Sequence, residues 1–73
     1  MARETVEVPI TGKIISINVK PGDVVKEGDL LCTLESMKME NPIMAPVGGT
    51  IAEVAATVEK VVKPGEPIVI IEY

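Results

Sequence analysis

The chain alternates short apolar stretches with turn-forming residues, and β-branched side chains are frequent in the apolar stretches. Such segments, bounded by Gly, Pro, Asn or Asp, are typical of short β-strands. Turn signals occur at Pro21-Gly22, Glu27-Gly28-Asp29, Val47-Gly48-Gly49 and Pro64-Gly65. We therefore predict strands over 6–9, 13–19, 30–35, 40–44, 50–56 and 68–72, with shorter pieces near 24–25 and 61–62.

An internal repeat resolves the one ambiguous segment. Apolar residues between 51 and 62 follow helical spacing, which by itself favours an amphipathic helix. However, residues 9–35 align without a gap on residues 46–72, with eight identities where chance gives about two. The equivalent stretch of the first copy contains Pro21-Gly22, a pair that a helix does not easily accommodate. Both copies are therefore predicted to be strand–turn–strand.

The duplication predicts the fold class. Two four-strand units without a helix indicate an all-β flattened barrel-sandwich of two four-stranded antiparallel sheets with an internal pseudo-two-fold axis. We expect a flexible N-terminus over residues 1–5 and one small domain over residues 6–73. Lys38 falls between the two copies. The hairpin that contains it is therefore expected at the opposite end of the domain from the chain termini.

Composition excludes several functions. The formal net charge is −4 and Tyr73 is the only aromatic residue, which argues against nucleic-acid binding. The chain has no histidine, so the familiar zinc patterns and nucleophile–base pairs are absent, and we predict neither catalytic residues nor a metal site. No apolar run suits a membrane span, and the lone Cys32 is expected to be a buried, unreactive thiol. These features predict a cytoplasmic protein without membrane insertion.

The candidate site is the run Glu35-Ser36-Met37-Lys38-Met39-Glu40. A hairpin turn normally prefers Asn-Gly, whereas this tip combines a lysine with two large thioethers. Glu35 and Glu40 are interpreted as solvated charges, because a convex tip does not exclude water as acid–base catalysis requires. The pair at Gly48-Gly49 lacks the helix of a phosphate-binding loop and is interpreted as a turn.

The same run resembles the biotin-attachment motif of biotin carboxyl carrier domains, which usually reads E-A-M-K-M. The resemblance extends over roughly residues 6–72 and departs from the motif at Ser36. It implies that biotin is attached to Lys38 through an amide. It also implies that Met37, Met39, Glu35 and Ser36 form the hairpin context that a biotin protein ligase recognises. Further matching segments are Val8–Gly12, Lys20–Asp23, Gly28–Leu31, Ala45-Pro46 and Gly65–Ile68.

The resemblance further implies a non-catalytic carrier. Lys38-bound carboxybiotin would move between the biotin carboxylase and carboxyltransferase sites of a biotin-dependent carboxylase or decarboxylase. Two alternatives remain at this point. One is a lipoyl carrier domain of a 2-oxo acid dehydrogenase complex, although its lysine usually lies in a D-K-A context. The other is a non-carrier, lipoyl-like assembly module, which does not need the E-S-M-K-M-E motif.

Overall fold

The computed structural model describes residues 2–73 as eight β-strands arranged in two four-stranded antiparallel sheets. One sheet has the order β1-β8-β6-β3 and the other β5-β4-β2-β7. Within residues 2–73 there is no helix long and apolar enough to cross a membrane. The predicted fold class is confirmed. The strands are β1 (Arg3–Glu7), β2 (Gly12–Ile17), β3 (Val24–Val25), β4 (Leu30–Ser36), β5 (Met39–Met44), β6 (Gly49–Val54), β7 (Val61–Val62) and β8 (Pro67–Glu72).

The internal repeat is visible in the pairing of the strands. β2 pairs with β4 as β6 pairs with β8, with Ile14 opposite Leu34 and Ile51 opposite Ile71. The same irregularity follows in both copies, immediately after Ile14 and immediately after Ile51. Residues 51–62 form a strand, a turn and a strand. The prediction from the repeat is therefore confirmed, and the helix suggested by the apolar spacing is not formed.

The core lies between the two sheets and is built from equivalent positions of both copies. Ile14 and Ile51 are 0% and 1% exposed. Each copy begins its first long strand with a glycine, because a Cβ at Gly12 or Gly49 would collide with a backbone oxygen of the neighbouring strand. The other members of the core are Val6, Val8, Val25, Leu31, Cys32, Leu34, Ile43, Ala45, Val62, Ile68, Val69 and Ile71.

The N-terminal segment differs from the sequence-based expectation. Residues 1–5 were expected to be flexible, but Arg3–Glu7 form β1 and pair with β8. The Ala2 N–H donates to the Tyr73 carbonyl at 2.8 Å, and the Tyr73 N–H donates to the Ala2 carbonyl at 2.9 Å. Met1 lies outside the described residues. The segment was predicted to be flexible because most of its residues are polar. As an edge strand, however, β1 is held by backbone hydrogen bonds to β8, which polar residues can form equally well.

The hairpin between β4 and β5 lies away from the chain termini, as expected. β5 runs from this hairpin to Met44, and a short connection leads to Gly49, which lies against Glu72 next to the terminal residues. The Ala2–Tyr73 pair is the repeat equivalent of Met39 opposite Ser36. The domain therefore has a hairpin end and a termini end, related by the internal repeat.

Candidate functional site

The tip of the β4–β5 hairpin is a two-residue loop in an unusual backbone conformation. Ser36 pairs with Met39, and between them Met37 and Lys38 have φ values of 53° and 66°. Two consecutive positive φ values define the type I′ turn, which matches strand twist but favours Asn and Gly. For other residues the left-handed conformation costs about 1–2 kcal/mol each. The backbone thus confirms the hairpin and shows that its two tip residues oppose the local preference.

The side chains of the tip project into solvent. Met37 is 92% exposed and Met39 is 67% exposed, and Lys38 is exposed between them. The ion pairs seen within residues 2–73 join Arg3 to Glu72 and Lys13 to Glu59, so Lys38 takes part in neither. The Lys38 amine therefore stands on a convex surface without a carboxylate partner. This arrangement fits covalent loading and does not form an enclosed catalytic cleft.

Two carboxylates face each other directly behind the tip. Glu35 is paired with Glu40 across β4 and β5, and both are exposed. Residues directly opposite in an antiparallel pair point to the same face, and like charges there are destabilising. Lys13 is the cross-strand neighbour of Glu35 on β2, but its ammonium group bonds the Glu59 carboxylate at 3.1 Å instead. The hairpin end therefore carries an uncompensated acidic pair next to Lys38.

An asparagine side chain joins the two strands of the hairpin. The half-buried Asn41 lies opposite Leu34. Its Nδ2 donates to the carbonyl oxygen of Met39 at 3.2 Å and to that of Leu34 at 3.4 Å. Ser36, which also belongs to the predicted site, is half-buried and closes the turn. The structure thus brings all five predicted site residues to one hairpin.

Sequence reasoning missed three residues at this end, namely Lys13, Asn41 and Glu59. A signal was present for Glu59, because the repeat aligns it with Gly22. Both residues have positive φ, 95° at Gly22 and 76° at Glu59. Positive φ favours glycine, so a glutamate in place of a glycine at an equivalent turn indicates that something other than backbone preference determines this residue. No comparable signal marks Asn41, because its role depends on the pairing of β4 with β5.

Two acidic residues elsewhere on the domain, Asp23 and Asp29, accept hydrogen bonds from the backbone of local turns. A shallow depression of about 330 Å³ beside β3 is lined in part by Asp23 and Asp29. Their carboxylates accept the backbone N–H groups of Lys20 and Lys26 at 3.0 and 2.8 Å. These bonds satisfy local turns, as Asp side chains commonly do. The depression therefore has a structural explanation and is not a candidate site.

Cys32 is buried, as the sequence predicts. Its burial disfavours the thiolate and raises the pKa of the thiol to about 11. A thiol of this kind is a poor nucleophile at neutral pH.

The sequence pattern of the family described as "Biotin-requiring enzyme" matches residues 4–71, nearly the whole chain. The chain belongs to this family. It is a biotin carrier domain, which is not itself catalytic and whose cofactor is covalently bound biotin.

Individual relatives agree with this membership. The chain is 38% identical over 68 residues to the "Biotinylated protein TB7.3 homolog" of Mycobacterium leprae, covering 93% of this chain and 96% of that protein. It is 62% identical over 40 residues to the "Glutaconyl-CoA decarboxylase subunit gamma" of Acidaminococcus fermentans, covering 55% of this chain but only 28% of that subunit. The crystal structure of Kluyveromyces lactis urea carboxylase contains the same fold, with a TM-score of 0.90 and 24% identity over 99% of this chain and 6% of that one.

Proposed function

We propose that Lys38 is the residue that carries biotin. We further propose that the domain moves a carboxyl group between the biotin carboxylase site and the carboxyltransferase or decarboxylase site of a biotin-dependent complex. The observation that supports this most directly is the tip itself. An exposed lysine without an ion-pair partner stands at the apex of a strained two-residue turn, between two exposed methionines.

The loading step is an acyl transfer to the Lys38 side chain. A biotin protein ligase supplies biotin activated as its adenylate. The lone pair of the neutral Lys38 Nζ attacks the acyl carbon, a C–N amide bond forms, and the bond from the acyl carbon to the phosphate oxygen breaks. AMP leaves and the nitrogen loses its extra proton to solvent. The ammonium form of Lys38 loses one proton before the attack and the nitrogen loses a second one after it, so a cation is replaced by a neutral amide. Once attached, the ureido group of biotin would supply the carboxyl-carrying chemistry.

The position of Lys38 suits a carrier that visits several partners. A convex hairpin end can enter different active sites, and a flexible side chain extends its reach. Tethering raises the effective concentration of the carried group at each site. The exposed Met37 and Met39 offer adaptable apolar contacts to the ligase, the carboxylase and the transferase or decarboxylase subunit in turn.

We place the domain in the cytoplasm, together with its ligase, without contact to nucleic acid and without membrane insertion. A reduced Cys32 fits this compartment.

Mass spectrometry of the labelled domain tests the attachment residue. After co-expression with a biotin protein ligase, peptide mapping should find biotin on Lys38 alone. The Lys38→Arg variant should remain folded and unlabelled, since arginine keeps the charge but does not form the amide. Biotin on Lys13 or Lys60, or lipoate on Lys38, would contradict the proposal.

A further inference from the structure

The strained tip raises the question of what holds it in place. Met37 and Lys38 both adopt the left-handed conformation without being Gly or Asn. Such conformations persist only where contacts with the surrounding structure stabilise them by more than their conformational cost. Met37 is almost fully exposed, so packing of its own side chain does not supply this constraint. The constraint must come from the two strands that end at the tip.

Asn41 is placed to supply it. Its Nδ2 group bonds the Met39 carbonyl, one residue beyond the tip, at 3.2 Å, and the Leu34 carbonyl of the facing strand at 3.4 Å. One amide group therefore links β5 to β4 at the residue pair that follows Glu35 and Glu40. These are the side-chain hydrogen bonds that the structure shows within this hairpin, over residues 30–44. The link limits both the separation of the strands and the direction in which Met39 leaves the turn.

The repeat provides an internal contrast. The equivalent of Asn41 in the other sheet is Glu4, which lies opposite Ile71 as Asn41 lies opposite Leu34. At that end no turn joins the strands, and a carboxylate, which has no donor group, stands where Asn41 has its amide. The side-chain amide thus occurs at the hairpin end, where a turn joins the two strands, and is absent from the equivalent position at the termini end.

We propose that Asn41 is a positioning residue for the loading of Lys38. It holds the type I′ turn and thereby presents the Lys38 amine to the biotin protein ligase, without itself touching biotin or the ligase. The inference rests on the proposed attachment of biotin to Lys38. It adds a residue outside the Met-Lys-Met run to the requirements for loading.

The first test measures the tip directly and needs no ligase. Backbone scalar couplings of Met37 and Lys38 report the sign of φ in solution. In Asn41→Ala and in Asn41→Asp, which both lack the donor, these couplings should move away from the values of positive φ. The matched control Glu4→Ala should leave them unchanged. Unchanged couplings in both Asn41 variants would overturn the proposal, whatever residue carries biotin.

The second test separates positioning from direct recognition. Loss of one hydrogen-bonding group should lower kcat/KM for biotinylation by roughly fivefold, within the range of a net hydrogen bond. Met37→Asn places a residue that prefers this turn at the tip, but it also removes an exposed thioether that can contact the ligase. Each Asn41→Ala rate is therefore compared with its own background, and in the Met37→Asn background Asn41→Ala should have little further effect. An equal loss in both backgrounds would mean that Asn41 contacts the ligase, and the proposal would be wrong. If the parent domain is labelled elsewhere than on Lys38, the proposed function fails, while the couplings still decide the role of Asn41.

Discussion

The hairpin end and the termini end of this domain are related by the internal repeat, yet their residues suit the local backbone very differently. The non-glycine residues with positive φ within residues 2–73 are Met37, Lys38 and Glu59. All of them lie at the hairpin end. Met37 and Lys38 form the tip, and Glu59 lies nearby because its N–H donates to the Ile14 carbonyl of β2. At the termini end the equivalent turn has Gly22, which adopts positive φ without strain.

The charges show the same contrast. The position of Glu40 in β5 is equivalent to that of Arg3 in β1, and Arg3 bonds Glu72 at 2.9 Å. At the hairpin end the corresponding pair is Glu35 opposite Glu40, which repel each other. One end of the domain thus satisfies local preferences, while the end with Lys38 departs from them. Such departures concentrate at functional sites, where other requirements determine the residue.

The largest effects should come from the core, where the two ends are alike. Ile14→Ala and Ile51→Ala should each lower the free energy of unfolding by about 2–5 kcal/mol. Lys38→Ala, at an exposed tip, should change it by less than about 0.5 kcal/mol. Urea denaturation of the three variants measures this directly. A loss at Lys38 as large as that at Ile14 would show that the lysine is structural.

Exchanging two tip residues tests whether the hairpin end presents its lysine in a defined direction. The double variant Met37→Lys, Lys38→Met keeps composition and charge, but consecutive turn residues direct their side chains differently. We expect it to fold normally and to be biotinylated at least about tenfold more slowly, a barrier increase of about 1.4 kcal/mol. A streptavidin gel shift after timed incubation with ligase measures the rate, and circular dichroism serves as the control for folding. Equal rates would mean that presentation by the scaffold is irrelevant.

Cys32 and Val69 offer a comparison within the core, because they occupy equivalent buried positions. Burial raises the pKa of the Cys32 thiol from 9.0 to about 11, so the folded state keeps a proton that the unfolded state loses. This contribution is complete below pH 9 and is lost as the pH rises towards 11. Between pH 8 and pH 10 the free energy of unfolding of the parent should therefore fall by about 1 kcal/mol more than that of Cys32→Val, which has no thiol. Parallel melts of parent and variant that decline equally would contradict this.

The two equivalent turns should respond in opposite directions to glycine. Glu59→Gly relieves a left-handed residue and should stabilise the domain by about 0.5–1 kcal/mol, even though it removes the exposed ion pair with Lys13. Gly22→Ala creates the corresponding strain and should destabilise by about 1 kcal/mol. Thermal melts of both variants provide the measurement. Destabilisation by Glu59→Gly would show that the ion pair outweighs the backbone strain.

The smallest effects concern the charges. Glu40→Arg reproduces at the hairpin end the pair that Arg3 makes with Glu72, and should stabilise by about 0.2–1 kcal/mol. Arg3→Glu should destabilise by a similar amount. The gain should shrink in high salt, because exposed pairs are screened. A gain that persists at high salt would contradict the electrostatic explanation for the contrast between the two ends.

Much of this protein was predictable from sequence because its information is local or repeated. The alternation of apolar residues and turn signals predicted the strands. The repeat corrected the helical pattern over residues 51–62, since both copies must suit one backbone. The motif around Lys38 predicted the hairpin, while the attachment of biotin to Lys38 stays a prediction. Cys32 was predicted to be buried from its place in an apolar strand and its equivalence to Val69.

Only the tertiary structure decided features that depend on which strands become neighbours. The mostly polar segment Arg3–Glu7 forms a strand because its backbone pairs with β8 and its one apolar residue, Val6, reaches the core. Asn41 can bond the Leu34 carbonyl because the pairing of β4 with β5 places the two residues opposite each other. Lys13 forms an ion pair with Glu59 because a turn of the second copy lies beside β2. The sequence by itself determined the repeat, the strands and the lysine between the copies, since propensity and periodicity act over a few residues. The strain and charge around that lysine were decided by contacts between residues far apart in the chain, which neither propensity nor periodicity encodes.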